Sequence, residues 1–122
     1  MIDAVLRNKK VVFLDLDGTV YMGDRLIPGV PDFLSLLVRK NIPYYFLSNN
    51  SSRSKQDYVE KLAGMGIPSQ EENILLSTDG VLNYLIRKHC SQIFLLGTAS
   101  MRRMFHAAEI NTESNNPEYV VL

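Results

Sequence analysis

The sequence contains no tryptophan, only one cysteine and no excess of either charge over its 122 residues. Lysine and arginine together number 13, and so do aspartate and glutamate, so no chain-wide positive field exists to hold a polyanion. We therefore expect no nucleic-acid partner. Cys90 has no second cysteine with which to form an intramolecular disulfide, which is typical of proteins from a reducing compartment.

Long apolar segments are missing as well. No run approaches the roughly 20 apolar residues that a membrane-spanning helix requires. The amino terminus, MIDAVLRNKK, interrupts its apolar positions with charges and lacks the continuous apolar core of a secretory signal peptide. The sequence thus predicts a cytoplasmic protein without a membrane partner.

The chain does contain enough apolar side chains for a real core, since 46% of its residues are hydrophobic. Short apolar runs predict strands, and longer stretches with apolar residues three and four apart predict helices. The predicted strands are 10–16, 44–47, 74–76, 93–97 and 119–122, and the predicted helices are 29–40, 54–65, about 78–89 and the segment around 101–108. Strands that alternate with such helices need crossover connections, so the pattern predicts a parallel α/β sheet.

Residues near the ends of two predicted helices support these boundaries. Ser54 is a suitable N-cap for the second helix, and Gly66 stands where a C-terminal glycine is common. Thr78 or Asp79 can cap the third helix. The polar segment PSQEEN, which lies between these two helices, is where a domain boundary is expected.

The segment VVFLDLDGTVY, residues 11–21, begins as an uninterrupted apolar run, which is typical of a strand buried on both faces. It then places Asp15 and Asp17 two residues apart, so on an extended segment both carboxylates project to the same side. Two carboxylates at such a short separation repel each other, so either a cation lies between them or one of them keeps a proton. Mg²⁺ is commonly held by one or two carboxylates and a substrate phosphate. The segment therefore predicts a magnesium site with Asp15 and Asp17 as ligands, and a phosphate ester as substrate.

The same two carboxylates can divide the chemistry of phosphate-ester hydrolysis between them. A carboxylate can attack phosphorus and form an acyl phosphate. A neighbouring carboxyl can donate a proton to the leaving oxygen and later accept one from water. Asp15 is the natural nucleophile and Asp17 the natural acid/base.

Four further residues are candidates for binding the phosphate group. Gly18 permits a sharp turn that brings backbone N–H groups near a phosphoryl oxygen, and Thr19 adds a hydroxyl. The second predicted strand ends in SNN, and reactive groups gather beyond the carboxyl ends of the strands in an open parallel sheet. We therefore expect Ser48 and the N–H group of Asn49 to hold another phosphoryl oxygen.

FLDLDGTVY followed by YYFLSNNSS resembles the first two motifs of the haloacid dehalogenase-like phosphatase superfamily, and specifically its nitrophenylphosphatase-like (NagD-type) branch. The segments IPGVPDFLSLL, DYVEKLAGMGI, FLLGT and NPEYVVL also resemble members of that branch. The resemblance implies a Rossmann-like parallel core and a Mg²⁺-dependent phosphomonoester hydrolase. It makes Asp15 the nucleophile and a metal ligand, and Asp17 the acid/base whose backbone carbonyl also binds the metal. Ser48 would be the phosphate-binding hydroxyl of the second motif, with Asn49 beside it.

In this branch a cap domain that selects the substrate is inserted after the second motif. The resemblance therefore implies that residues 1–77 form the amino-terminal part of the catalytic core and 78–122 the beginning of the cap. The family's later lysine and later acidic motif would follow the cap, and we do not expect Lys55 or Lys61 to replace that lysine. We therefore expect an amino-terminal portion that binds metal weakly and turns over slowly or not at all.

Other interpretations stay open at this point. DLDGT taken alone can be an Asp-Gly turn that closes a hairpin, and Tyr21 and Met22 can form either a flap over the site or a surface hairpin. The functional alternative is a non-catalytic phosphate-binding or phospho-accepting fragment that keeps Asp15 without hydrolysis. A receiver-like signalling domain is disfavoured because its acceptor aspartate ends a middle strand. The substrate class is open among small phosphorylated metabolites, and an unfinished sheet edge favours association into a homo-oligomer.

Overall fold

The computed structural model describes residues 2–50 and 52–122 as an alternation of strands and helices. The helices are α1 (Ile2–Leu6), α2 (Val30–Arg39), α3 (Lys55–Gly64), α4 (Ser77–Arg87) and α5 (Ala99–Ala107). The strands are β1 (Val12–Asp15), β2 (Tyr21–Met22), β3 (Arg25–Leu26), β4 (Tyr44–Ser48), β5 (Ile74–Leu76), β6 (Ile93–Leu95) and β7 (Tyr119–Val121). Each strand and helix predicted above has its counterpart among them. Within the two ranges that the structure describes, no helix is both long and apolar enough to cross a membrane.

The chain divides into two compact units. The first consists of the residues up to Ser48 together with Val59–Leu75, and the second of Asn49–Tyr58 together with Leu76–Leu122. One point of division therefore lies close to the expected boundary between residues 77 and 78. The assignment of 1–77 to a catalytic core and of 78–122 to a cap stays a prediction.

The first unit is built on a three-stranded sheet with the strand order β1-β4-β5. β1 and β4 run parallel, with Val12 opposite Tyr44 and Asp15 opposite Leu47. This pairing confirms the predicted parallel α/β arrangement. Strands that are neighbours in space but separated in sequence by a helix are the expected product of a crossover connection.

Helix α2 supplies that crossover, and its local sequence explains where it begins. Gly29, with φ 88°, takes the left-handed conformation at the N-cap, and Pro31 stands in the first turn, where its missing N–H group costs nothing. Leu34 and Leu37, three residues apart, are both buried. Lys40 caps the carboxyl end. These observations confirm the amphipathic helix predicted for 29–40.

The burial of the sheet differs from the expectation. Phe46 and Ile74 are fully buried on one face, but Phe13, Leu47 and Leu75 on the other face are 53%, 37% and 36% exposed. The expectation that the first strand is buried on both faces is therefore wrong for this chain. The reason is that residues alternate between faces along each strand, and only one of the two faces is enclosed.

The second unit contains a two-stranded parallel sheet of β6 and β7. Its core combines side chains from this sheet and from α4 and α5. The core residues are Leu85, Cys90, Ile93, Leu95, Met101, Phe105 and Ile110. Met101 and Phe105 therefore serve packing, and the cysteine is buried and free.

Side-chain caps define the start of two helices in this second unit. Ser54 N–H donates to Asp57 Oδ2 at 2.7 Å, and Asp57 N–H donates to Ser54 Oγ at 3.2 Å, so the two residues cap α3 reciprocally. The predicted N-cap at Ser54 is thus confirmed. Asp79 Oδ2 accepts the N–H group of Leu76 at 2.7 Å, which fixes the first turn of α4 from its third residue.

Candidate active site

Asp15 is the last residue of β1, and the strand pairing places it beside the end of β4. Asp15 lies opposite Leu47, and the N–H group of Leu16 continues the ladder by donating to the Leu47 carbonyl at 3.2 Å. Ser48 is the last residue of β4. The two segments that the sequence singled out therefore leave neighbouring parallel strands at the same edge of the sheet.

Successive residues of the acidic segment 15–17 alternate between exposed and buried positions. Asp15 and Asp17 are both exposed, whereas Leu16 between them is completely buried. The buried leucine anchors the segment. The residues before and after it, Asp15 and Asp17, keep their carboxylates in contact with water. Exposed carboxylates of this kind suit Mg²⁺, because that ion prefers oxygen ligands and keeps several waters.

A tight turn follows Asp17, and its conformation requires glycine. Gly18 has a φ of +83°, and its N–H group donates to the Tyr21 carbonyl at 2.8 Å. The N–H groups of Thr19 and Val20 both donate to the Leu16 carbonyl, at 3.2 and 2.9 Å. The sharp turn predicted at Gly18 is therefore present, and its backbone is held by hydrogen bonds.

The hairpin of β2 and β3 follows this turn directly. Its two strands are antiparallel, with Tyr21 opposite Leu26 and Met22 opposite Arg25. Tyr21 is only 1% exposed, whereas Met22 is 70% exposed. A hairpin is therefore present after the turn, and the ring of its first residue is buried. Its role as a flap over the site stays a prediction.

Ser48 and Asn49 differ in their surroundings. Ser48 is 5% exposed, whereas Asn49 is exposed and begins the second unit. Because residues alternate between the faces of a strand, the Ser48 side chain leaves β4 on the face opposite to Leu47, and hence to Asp15. The joint binding of one phosphoryl group by Asp15 and Ser48 stays a prediction.

Hydroxyl groups of the second unit contact the loop that begins at Asn49. Ser77 Oγ donates to the Asn49 carbonyl at 3.4 Å, and Tyr58 Oη donates to the Asn50 carbonyl at 3.3 Å. Thr98 Oγ1 donates to the carbonyl of Ser52 at 3.4 Å. No sequence pattern indicates the contacts of Ser77 and Thr98, because their partners are 28 and 46 residues away along the chain.

The two lysines considered above as replacements for the family lysine both have partners. Lys55 Nζ lies 3.3 Å from Asp79 Oδ2. Lys61 Nζ lies 3.7 Å from Asp24 Oδ1 and 4.4 Å from the centroid of the Tyr21 ring. These contacts favour structural roles for both ammonium groups. Over residues 2–50 and 52–122, no group of three or more His, Cys, Asp or Glu side chains is arranged to hold a metal ion.

A parallel sheet with carboxylates and polar loops at the carboxyl ends of its strands defines the chain as an α/β protein whose ligand site is expected at that edge. Residues 12–111 match the model of one family, described as haloacid dehalogenase-like hydrolase. The chain belongs to this family. The predicted fold class, a Rossmann-like parallel sheet of the haloacid dehalogenase-like type, is thereby confirmed.

Relatives of known name are similar along almost the whole chain. An acid sugar phosphatase of Staphylococcus haemolyticus is 29% identical over 119 residues, which are 96% of this chain and 45% of that protein. The 5'-nucleotidase YutF of Bacillus subtilis is 26% identical over 118 residues, 96% of this chain and 46% of that protein. The chain thus spans slightly less than half the length of these relatives.

Solved structures show the same relationship. The crystal structure of a 4-nitrophenylphosphatase from Thermotoga maritima matches with a TM-score of 0.90 and 35% identity, over 96% of this chain and 46% of that one. A thermostable nitrophenylphosphatase double mutant from Geobacillus stearothermophilus matches with a TM-score of 0.81 and 28% identity, over 93% and 45% of the two chains. The resemblance to the nitrophenylphosphatase branch is therefore confirmed for fold and family.

Proposed function

We propose that this chain carries the nucleophile of a Mg²⁺-dependent phosphomonoester hydrolase that acts through an aspartyl phosphate on Asp15. The observation that carries the proposal is the pairing of β1 with β4, which brings the end of the acidic strand beside the end of the strand that contains Ser48. Relatives named as a sugar phosphatase, a nucleotidase and a nitrophenylphosphatase support it.

In the first step, a carboxylate oxygen of Asp15 attacks phosphorus and the bond between phosphorus and the ester oxygen breaks. The ester oxygen leaves with the bonding electrons and takes a proton from the Asp17 carboxyl. In the second step, water attacks phosphorus while the Asp17 carboxylate accepts a proton from it. The acyl-phosphate bond breaks, which restores the Asp15 carboxylate and releases inorganic phosphate.

The remaining candidate residues bind the phosphoryl oxygens. The N–H groups of Gly18, Thr19 and Val20 already donate within the turn. The proposed donors to the phosphoryl oxygens are therefore the Thr19 hydroxyl, the Ser48 hydroxyl and the N–H group of Asn49.

When bound, Mg²⁺ would neutralise part of the charge on the Asp15 carboxylate and the phosphate, with the Asp15 carboxylate and the backbone carbonyl of Asp17 as its protein ligands. The exposed position of Asp15 and Asp17 and their oxygen chemistry fit that ion.

Among the described residues, no group of three or more His, Cys, Asp or Glu side chains is arranged to hold a metal ion, which supports weak metal binding by the chain alone. We therefore propose that the isolated chain accepts a phosphoryl group faster than it releases one. The second candidate function, a phospho-accepting fragment without multiple turnovers, is the limit of this proposal in which release does not occur. The substrate is proposed to be a small phosphorylated metabolite, and the location the cytoplasm.

The test is release of p-nitrophenol from p-nitrophenyl phosphate with Mg²⁺, compared with Asp15→Asn and Asp17→Asn. We expect a burst of about one equivalent of p-nitrophenol per chain followed by slow release. Asp15→Asn should abolish both phases, and Asp17→Asn should reduce the slow phase by about 10²-fold, the range of general acid–base catalysis. Asp32→Asn is the matched control, since Asp32 is an exposed aspartate in the first turn of α2. Release of p-nitrophenol that is unchanged in Asp15→Asn would refute the mechanism. Fast multiple turnovers would refute the proposal that the isolated chain binds metal weakly and releases the phosphoryl group slowly.

A further inference from the structure

Lys61 is held further out of water than the other lysines that form ion pairs. Its side chain is 17% exposed, compared with 27% for Lys55 and 37% for Lys40. Lysine usually keeps its charged end in solvent, even where its methylene groups are buried. Contacts within the protein, and not water alone, therefore contribute to the position of the Lys61 side chain.

The Tyr21 ring provides one of these contacts. Lys61 Nζ lies 4.4 Å from the ring centroid, within the range of a cation–π interaction. The ring is 1% exposed, so water does not compete for this face to any large extent. The carboxylate of Asp24, 3.7 Å from the same nitrogen, is 98% exposed and is therefore well screened.

The backbone of Tyr21 in turn closes the acidic turn from both sides. Its carbonyl accepts the N–H group of Gly18 at 2.8 Å, and its own N–H group donates to the Leu16 carbonyl at 3.3 Å. Leu16 and Gly18 are the two neighbours of Asp17 in the sequence. Tyr21, whose ring contacts Lys61, thus also forms backbone hydrogen bonds with the residues before and after Asp17.

We propose that Lys61 is a positioning residue for Asp17, which it fixes through the Tyr21 ring and the two hydrogen bonds of the Tyr21 backbone. The inference rests on the proposed function, because it presumes that the placement of Asp17 matters for phosphoryl transfer. Lys61 Nζ contacts Asp24 and the Tyr21 ring, and it acts on Asp17 through Tyr21. Removal of its charge should loosen the turn without disturbing the strands.

Three substitutions isolate this contact. Lys61→Met keeps the length and apolar stem and removes the charge, whereas Lys61→Arg keeps a cation that stacks on aromatic rings. Asp24→Asn removes the ion pair and leaves the ring contact. Lys88→Met is the matched control, because Lys88 Nζ lies 5.8 Å from the centroid of the Tyr84 ring in the second unit.

The first measurement is amide hydrogen exchange of Gly18 and Tyr21 without any ligand, with Phe46 as the internal standard for global unfolding. Lys61→Met should accelerate exchange of the two turn amides about tenfold relative to Phe46, and the other three variants should match the wild type. If Lys61→Met does not fold, the Lys61→Gln variant serves the same comparison. Unchanged exchange at Gly18 and Tyr21 overturns the proposal.

The second measurement is the affinity for beryllofluoride with Mg²⁺, an analogue of the phosphoryl group on an aspartate. Lys61→Met should weaken binding by about tenfold, and Lys61→Arg should restore it to within about twofold of wild type. Faster exchange with unchanged affinity would make Lys61 merely structural and overturn the positioning role. A wild-type chain that binds no beryllofluoride would refute the proposed function, whereas the exchange result would still decide the Lys61 contact.

Discussion

At Gly18 the sequence motif corresponds to a particular backbone conformation. Its φ of +83° lies in the left-handed region, where a Cβ atom adds strain even though no heavy atom beyond Gly18 and its two chain neighbours lies within 4 Å of the Cβ position. Gly18→Ala should therefore lower the free energy of unfolding by about 1 kcal/mol. Urea unfolding followed by circular dichroism measures this difference.

Gly64→Ala is the control for that substitution. Gly64 also has an open Cβ position, but it lies in α3 and has no positive φ. Alanine should stabilise the helix there by up to about 1 kcal/mol. Equal effects of the two substitutions would contradict a conformational requirement at Gly18.

The sequence indicates which residues are candidates for the site, but it does not indicate their surroundings. Asp15, Asp17 and Gly18 stand out because two carboxylates and a glycine end an apolar run, and this pattern is local. The burial of Ser48 and the contact between Lys61 and Tyr21 depend on residues distant in sequence. No periodicity or motif encodes such contacts, so sequence alone could not predict them.

Among the helices, α3 shows how a local signal sets a boundary. Ser54 and Asp57 exchange hydrogen bonds between side chain and backbone at the first turn. Ser54→Ala should cost about 1 kcal/mol of unfolding free energy, measured by thermal or urea unfolding. Ser35→Ala is the control, because Ser35 is exposed within α2 and the same change there should be neutral or slightly stabilising. An equal loss at both positions would refute the capping role.

The same cap predicts a dependence of stability on pH. The backbone N–H group of Ser54, and then its hydroxyl, lower the pKa of Asp57 below its usual value of 3.8. A carboxyl whose pKa is lower in the folded state contributes stability above its unfolded pKa, and this contribution is lost as the pH falls through the folded pKa. Asp57→Asn should therefore reduce the loss of stability below about pH 4, whereas Asp32→Asn should not. Identical acid unfolding of both variants would contradict the assignment.

The sequence pattern did not predict helix α1, and it indicated the hairpin of β2 and β3 only as one alternative. Helix α1 has five residues, and strands β2 and β3 have two each, so none of them covers enough positions to show a period. The longer helices were predicted within about two residues, because each combines an apolar stripe with a cap or a terminal glycine. Gly66, with φ +85°, follows α3 as expected of such a glycine.

For the whole molecule, the alternation of strands and helices was sufficient to predict the parallel α/β class. It was not sufficient to predict which sheet faces are covered, because coverage depends on what packs against each face. Phe13 and Leu47 on one face of the first sheet, and Phe94 and Val120 in the second unit, stay substantially exposed. The chain corresponds to slightly less than half of its named relatives, so the activity of a longer protein is a separate question.

We propose above all that Asp15 accepts a phosphoryl group at the edge formed by β1 and β4. The most direct test is ¹⁹F NMR of the chain with Mg²⁺ and beryllofluoride, in the wild type and in Asp15→Asn, Ser48→Ala and Asp32→Asn. We predict a bound signal in the wild type and in Asp32→Asn, a weaker one in Ser48→Ala and none in Asp15→Asn. A bound signal that persists in Asp15→Asn, or no bound signal in the wild type, would contradict the account.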